Sequence, residues 1–318
     1  MIIALTGGVG GAKLVAGLAR ALPADDLTVV VNTADDFDHL GLRIMPDLDS
    51  VLYALAGLND RERGWGRADE TWHCRDAMAA LGAPTWFNLG DKDLALHILR
   101  THWLHTGQSY AGVARMLARR LGLDARVVPM SDQPVATMVL SGDGEIPFQD
   151  YFVRRRCEPR AGGFRYAGID AALPLPQWYE PLAGGCCAGV VICPSNPFVS
   201  IEPILALRGV REAIAHWGVP VVAVSPIVGG RALKGPAAKM MAELGMDVSP
   251  AGVAERYRGL LGGMVVDDAD AGQVARLRDM GLAVEVTDTV MTDTGVAESL
   301  ARTALAMVGR LRREREAG

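Results

Sequence analysis

The chain has 318 residues, half of them hydrophobic and 22% charged, with a net charge of −5. This is the profile of an ordinary globular protein able to bury a substantial core, and it argues against broad nucleic-acid binding, which leaves a basic footprint. No apolar run approaches the ~20 residues that span a bilayer, and the first residues lack the charged segment of a signal peptide. Five cysteines (Cys74, Cys157, Cys186, Cys187, Cys193) without CxxC spacing read as reduced cytoplasmic thiols, not zinc ligands.

Met1 to Thr6 is apolar and strand-like, and Gly7-Gly8-Val9-Gly10-Gly11-Ala12-Lys13 leads from it into a helix over about 12–22. A glycine loop between strand and helix is an anion site, because bare backbone N–H groups reach phosphate oxygens and the helix dipole adds partial positive charge. The loop misses both common fingerprints: Lys13 stands where the dinucleotide pattern wants glycine, and Ala12-Lys13-Leu14 is not Gly-Lys-Ser/Thr. A second strand at 27–31 completes a βαβ unit, followed by Asp35, Asp36, Asp47 and Asp49 and a helix over 50–58. Four carboxylates near one strand end suit Mg²⁺, which combines one or two carboxylates with substrate phosphates. Equally, Asp47 or Asp49 can be a helix N-cap and Asp35 a turn residue.

The middle breaks the alternating rhythm. Residues 94–122 read as helical with a break near Gly107, and 126–153 as strands with a hairpin turn at Gly142-Asp143-Gly144. Before them, Leu89-Gly90-Asp91-Lys92-Asp93 is either a charged ligand loop or a capped helix start. Trp65, Trp72 and Trp86 offer stacking surfaces or core packing. His97, His102 and His105 share one helix, but none is spaced i, i+4, so a two-histidine metal site is not supported.

Alternation resumes near 188, with strands at 189–193, 219–224, 263–266 and 283–286. Helices are expected at 204–217, 237–244, 253–261, 270–280 and 297–313. The expected fold is α/β: a doubly wound, mainly parallel Rossmann-like sheet formed by 1–60 and 170–318, with 61–169 inserted as an α+β subdomain. Ligands of such sheets bind beyond the carboxyl ends of the strands. Pro194-Ser195-Asn196-Pro197 and Ser225-Pro226, each ending a strand, join the glycine loop at that edge.

These motifs, in this order, resemble the CofD family, the 2-phospho-lactate transferases of coenzyme F420 biosynthesis. The resemblance is carried by GGVGGAKL (7–14), VVNTADD (30–36), PDLDSVLYALAG (46–57), RGWGRADETW (63–72), LGDKDLALHILR (89–100), PSNPFVSIEPIL (194–205) and VMTD (290–293). The tryptophan-rich segment is similar to bacterial members of the actinobacterial FbiA type. The resemblance implies transfer of a phospho-(three-carbon acid) group from a guanosine diphosphate-activated donor to the deazaflavin FO. GMP would be released, and the acid would be lactyl, enolpyruvyl or glyceryl. Carried onto this chain, Gly7, Gly8, Gly10, Gly11, Lys13, Ser195, Asn196 and Pro197 would hold the guanosine diphosphate part. Asp35 and Asp49 would bind Mg²⁺ and act in catalysis, and Asp49, Asp91 and Lys92 would approach FO. A cytoplasmic homodimer is the family expectation. The runner-up is a YvcK-like nucleotide-sugar-binding regulator, which needs neither the paired aspartates nor Asp91-Lys92. An NAD-dependent dehydrogenase is disfavoured by Lys13.

Overall fold

The computed structural model describes Met1–Ala317. Its largest sheet has seven strands, numbered here along the chain. They are β1 (Ile2–Thr6), β2 (Leu27–Val31), β3 (Arg126–Pro129), β4 (Gly189–Ile192), β5 (Val221–Val224), β6 (Gly263–Val266) and β7 (Ala283–Val286). All neighbours are parallel and the order is β7-β6-β5-β4-β1-β2-β3. That is the doubly wound arrangement, whose strand order reverses between β1 and β4.

Both faces of the sheet are covered. Along β1, Ile3 and Leu5 enter one core cluster, while Ile2 and Ala4 enter the other. Burial on two faces is why these strands read as unbroken apolar runs. Four helices matter for the site: α1 (Gly8–Ala21), α2 (Pro46–Ala56), α3 (Asp91–His105) and α4 (Thr294–Ala317). Leu14 and Leu18 of α1 are fully buried in the same core as Leu300 and Ala304 of α4. Each of these leucines contributes about 1.5–3 kcal/mol by leaving water. Gly17 allows this approach, because a Cβ there would collide with the Ala297 carbonyl.

The middle of the chain is more interleaved than its rhythm suggests. Arg126–Pro129, expected inside the inserted hairpin region, is instead the edge strand of the main sheet, paired with β2. Pro129 can end it because an edge strand leaves one side free of ladder bonds. The hairpin itself stands in a separate antiparallel sheet of Ala136–Ser141, Gly144–Pro147 and Gly163–Ala167. The helical stretch over 94–122 breaks near Gly107 as expected, between α3 and Tyr110–Arg120. That over 204–217 divides into Glu202–Leu205 and Val210–Trp217, with Gly209 at φ 82° between them. A short hairpin pairing Phe37–His39 with Leu42–Ile44 was not legible, because its turn places Leu40 at φ 51°, where the usual residue is Asn or Gly.

Candidate active site

Three loops converge where the strand order reverses. Gly7, after β1, donates its N–H to Ser195 Oγ at 3.1 Å, and that hydroxyl donates back to the Gly7 carbonyl at 2.7 Å. Asn32, after β2, donates to Asp47 Oδ2 (2.9 Å) and to the Val199 carbonyl (3.1 Å). Asp47 Oδ1 accepts the N–H of Gly8 at 2.7 Å, so a carboxylate from α2 sits on the first amide of α1. Neither Asp47 nor Asp49 caps its own helix; both lie in the first turn of α2, which begins at Pro46. The absence of side chains makes this approach possible. A Cβ on Gly11 would strike Thr6 Oγ1 and Ser195 Oγ, and one on Gly10 would stand 2.7 Å from the Pro194 carbonyl oxygen. Gly10→Ala is therefore expected to lower the unfolding free energy by roughly 1–3 kcal/mol in urea titrations, the cost of overpacking. Gly272→Ala, with open space around its Cβ, is the control and should stay within about 0.5 kcal/mol. Equal effects at the two positions would refute this account of the loop.

Asp35 and Asp36 are buried beside this junction, and three of their carboxylate oxygens have no hydrogen-bond partner: Asp35 Oδ1 and both oxygens of Asp36. Burial drives both pKa values well above the usual carboxylate range. Asp47 and then Asp36 push Asp35 further up, whereas Arg43 and Arg100 partly offset the rise at Asp36. The Asp47 carboxyl is likewise pushed up by burial, to about 6, despite its bonds from Asn32 and Gly8. Unpartnered buried carboxylates are costly alone. Orphaned hard oxygens on adjacent acids are also the donor set that Mg²⁺ takes, so these residues fit that ion.

Asp49 is differently placed. Both its oxygens are bound by the guanidinium of Arg100, which is fully buried on α3, with Nη1 at 3.0 Å from Oδ2. The same Nη1 lies 3.0 Å from His97 Nδ1. His97 Nε2 in turn faces Asp93 Oδ2 at 3.3 Å, and the Tyr53 hydroxyl donates to Asp93 Oδ1 at 2.5 Å. Burial raises the Asp49 pKa although Arg100 and His97 oppose it. At Asp93 burial also acts upward, yet His97 and Tyr53 outweigh it and the net shift is downward. Asp49, Asp93 and His97 lie close enough to share an ion. A guanidinium on the same carboxylate already supplies the positive charge there, so the group is a closed ion-pair chain. The expected Asp35–Asp49 pair is thus divided between two environments, with Asp47 as the carboxylate acting on Asp35.

Other expected ligands are also engaged. Asp91 accepts from the Thr71 hydroxyl (2.5 Å) and from the amides of His73 (3.1 Å) and Cys74 (3.0 Å). These bonds cap the helix His73–Ala80 and hold the Asp91 carboxyl below its ordinary pKa. The Lys92 side chain is exposed, and its amide is held by Glu70. Asn196 Oδ1 accepts the Phe198 N–H at 2.9 Å, capping the turn that starts at the buried Pro197. Lys13 turns away from the acids and donates to the Met291 carbonyl at 2.8 Å. Sequence reasoning missed Asn32, Arg43, Tyr53 and Arg100. Of these, only Arg100, one helical turn from His97 on an otherwise mixed helix, carried a signal, as a charge on the face that is buried.

A family model described as 2-phospho-L-lactate transferase CofD matches residues 2–307. The chain belongs to the CofD family. Among its CofD relatives, a protein named phosphoenolpyruvate transferase from Streptomyces coelicolor is 43% identical over 317 residues, covering 98% of this chain and 99% of that protein. A 2-phospho-L-lactate transferase from Methanosarcina barkeri is 39% identical over 300 residues, covering 94% and 96%. A solved Bacillus halodurans protein of the UPF0052 family superposes with a TM-score of 0.62 over 96% of this chain and 98% of its own. At 15% identity that likeness speaks for the fold alone. CofD membership makes this chain a transferase of coenzyme F420 biosynthesis, as the sequence motifs implied. No helix among the described residues is long and apolar enough to cross a membrane.

Proposed function

We propose that this CofD protein transfers a phospho-(three-carbon acid) group from a guanosine diphosphate-activated donor to the deazaflavin FO, releasing GMP. The enolpyruvyl donor is favoured, because the phosphoenolpyruvate transferase named above is the more similar of the two relatives. The observation that carries the reading is the juxtaposition of a glycine-opened helix with buried Asp35 and Asp36, three of whose carboxylate oxygens accept no hydrogen bond, at the reversal of strand order. Phosphoryl transfer asks a protein for alignment and charge neutralisation more than for covalent help.

In this reading the glycine loop receives the diphosphate through the first-turn amides of Val9 and Gly10, which have no acceptor within α1, that of Gly8 being held by Asp47. Asp35 and Asp36, with Asp47 beside them, would hold Mg²⁺. Bound there, the ion would neutralise charge developing on the diphosphate. Ser195 and Asn196 act through the backbone, fixing the loop against Gly7 and capping the following turn. Asp49 is a positioning residue whose bond to Arg100 sets the first turn of α2, and with it Asp47. A cytoplasmic enzyme acting as a homodimer completes the proposal.

The test supplies FO, GTP, Mg²⁺ and the donor-activating enzyme with phosphoenolpyruvate, 2-phospholactate or 3-phosphoglycerate, and identifies products by mass. We expect an FO adduct in the phosphoenolpyruvate arm, with GMP formed in equal amount. No adduct in any arm, together with tight binding of a uridine diphosphate sugar, would favour the regulatory reading instead.

A further inference from the structure

The loop after β2 and the Ser195 loop meet directly through the Asn32 bond to the Val199 carbonyl. The separate antiparallel sheet touches both of them as well. Within it Thr137 and Tyr166 are directly opposed in register, so their side chains share one face. Thr137 serves the β2 side. Its N–H donates to the Ala34 carbonyl at 2.7 Å. Its buried hydroxyl has no partner elsewhere and, with Asn32, opposes the rise that burial imposes on the Asp35 pKa. Gln149, just past the hairpin, donates to the Asp35 carbonyl at 3.4 Å. Tyr166 serves the other loop, its hydroxyl donating to the Phe198 carbonyl at 2.5 Å. The next pair on the same face, Val139 and Phe164, continues that contact, with the Phe164 ring stacked on Phe198 at 5.2 Å.

The local sequence leaves a place for Tyr166. The Glu202 N–H goes to the Pro197 carbonyl and Pro203 has no N–H, so neither usual helical donor reaches the Phe198 carbonyl. A buried carbonyl takes a partner, and the tyrosine hydroxyl is that partner. One cross-strand pair therefore reaches the acid cluster with one member and the Ser195 loop with the other. We infer that Thr137 and Tyr166 are positioning residues, which hold the Asp35 loop and the Ser195 loop at a fixed spacing across the site. The positioning role rests on reading these loops as halves of a transfer site; the mechanical brace between them does not.

Tyr166→Phe and Thr137→Val each delete one hydroxyl and leave the backbone pairing of the sheet in place. Arg165→Gln is the control, because Arg165 is exposed on the opposite face, where it pairs with Glu145 at 2.8 Å. Amide hydrogen exchange on the full-length protein tests the brace, with thermal unfolding to verify the fold. Each variant is expected to quicken exchange roughly fivefold, the scale of one hydrogen bond, in both 32–36 and 195–201. The loop that the altered residue does not touch is the informative one. Calorimetry without FO or donor then reads the effect on the site. In wild type Mg²⁺ should tighten GDP binding, and each variant should lose about fivefold of that tightening. Thr137→Ser, which restores the hydroxyl, should keep it, and the control should match wild type in both measurements. Exchange quickened only in the loop each residue touches, or an undiminished Mg²⁺ effect on GDP in both variants, overturns the inference. A wild type that binds neither GDP nor Mg²⁺ defeats the transfer-site reading, and exchange alone then decides the brace.

Discussion

Arg100→Met is expected to lower the unfolding free energy by about 3–5 kcal/mol, the largest effect of any single change discussed here. Arg100 is fully buried, and its guanidinium holds both oxygens of Asp49. Methionine preserves much of the apolar stem but leaves Asp49 as an uncompensated buried charge, with its pKa driven higher still. His97 loses its partner at Nδ1 in the same step. The loss arises from the orphaned charge more than from the pair itself, so the double variant Arg100→Met/Asp49→Leu should recover most of it. Urea unfolding of the wild type, both single variants and the double variant measures the coupling. A loss below about 1 kcal/mol for Arg100→Met, or a double variant no more stable than the singles, would contradict the closed-chain description. The same geometry bears on Asp49→Asn. As an open metal ligand it would be replaced at no cost to the fold; paired with buried Arg100, it is expected to destabilise too.

How much of this could be read beforehand depends on the kind of pattern. The βαβ start was legible because β1 and β2 are short apolar runs bracketing a glycine loop, and buried parallel strands look like that in any context. The resemblance to the CofD family rested on strings such as VVNTADD and PDLDSVLYALAG, and the family match extends over nearly the whole chain. Side-chain direction was not legible. Spacing put Asp35, Asp36, Asp47 and Asp49 near one strand end, yet only the crossing of α2 over α1 decides that Asp47 meets Gly8. Likewise only the packing of α3 decides that Asp49 meets Arg100 rather than Asp35. Asp91 shows the same limit: a charged loop ahead of a helix looks like a ligand loop until the preceding helix His73–Ala80 arrives to be capped. The edge position of β3 was hidden because its pairing with β2 spans nearly a hundred residues of chain, and no local pattern reports a partner so distant.

The second large effect concerns pH and magnesium together. Asp35, Asp36, Asp47 and Asp49 all have folded-state pKa values above the unfolded value near 4, with Asp47 at about 6. In that window the folded state binds more protons than the unfolded state, so stability falls as pH rises through it. Arg43, 3.8 Å from Asp36, and Arg100 moderate the effect without abolishing it. His39, whose pKa partial burial lowers, acts with the opposite sign, one group against four. The depressed carboxylate of Asp93 loses its contribution only as pH falls through a range below the ordinary carboxylate value. In EDTA the protein should therefore unfold at higher urea at pH 5 than at pH 8. Mg²⁺ should reverse that order, because it binds deprotonated carboxylates and competes with protons for them. At a hundredfold excess over its Kd the ion adds about 2.7 kcal/mol, seen as a rise in Tm at pH 8 and little change at pH 5. Asp36→Asn separates this account from nonspecific salt effects: it should raise the EDTA stability at pH 8 by removing a buried charge, and should shrink the Mg²⁺ gain. If Mg²⁺ raises Tm equally at the two pH values, or the Asn variant keeps the full gain, the ion is held elsewhere and the orphaned oxygens of Asp35 and Asp36 have another partner.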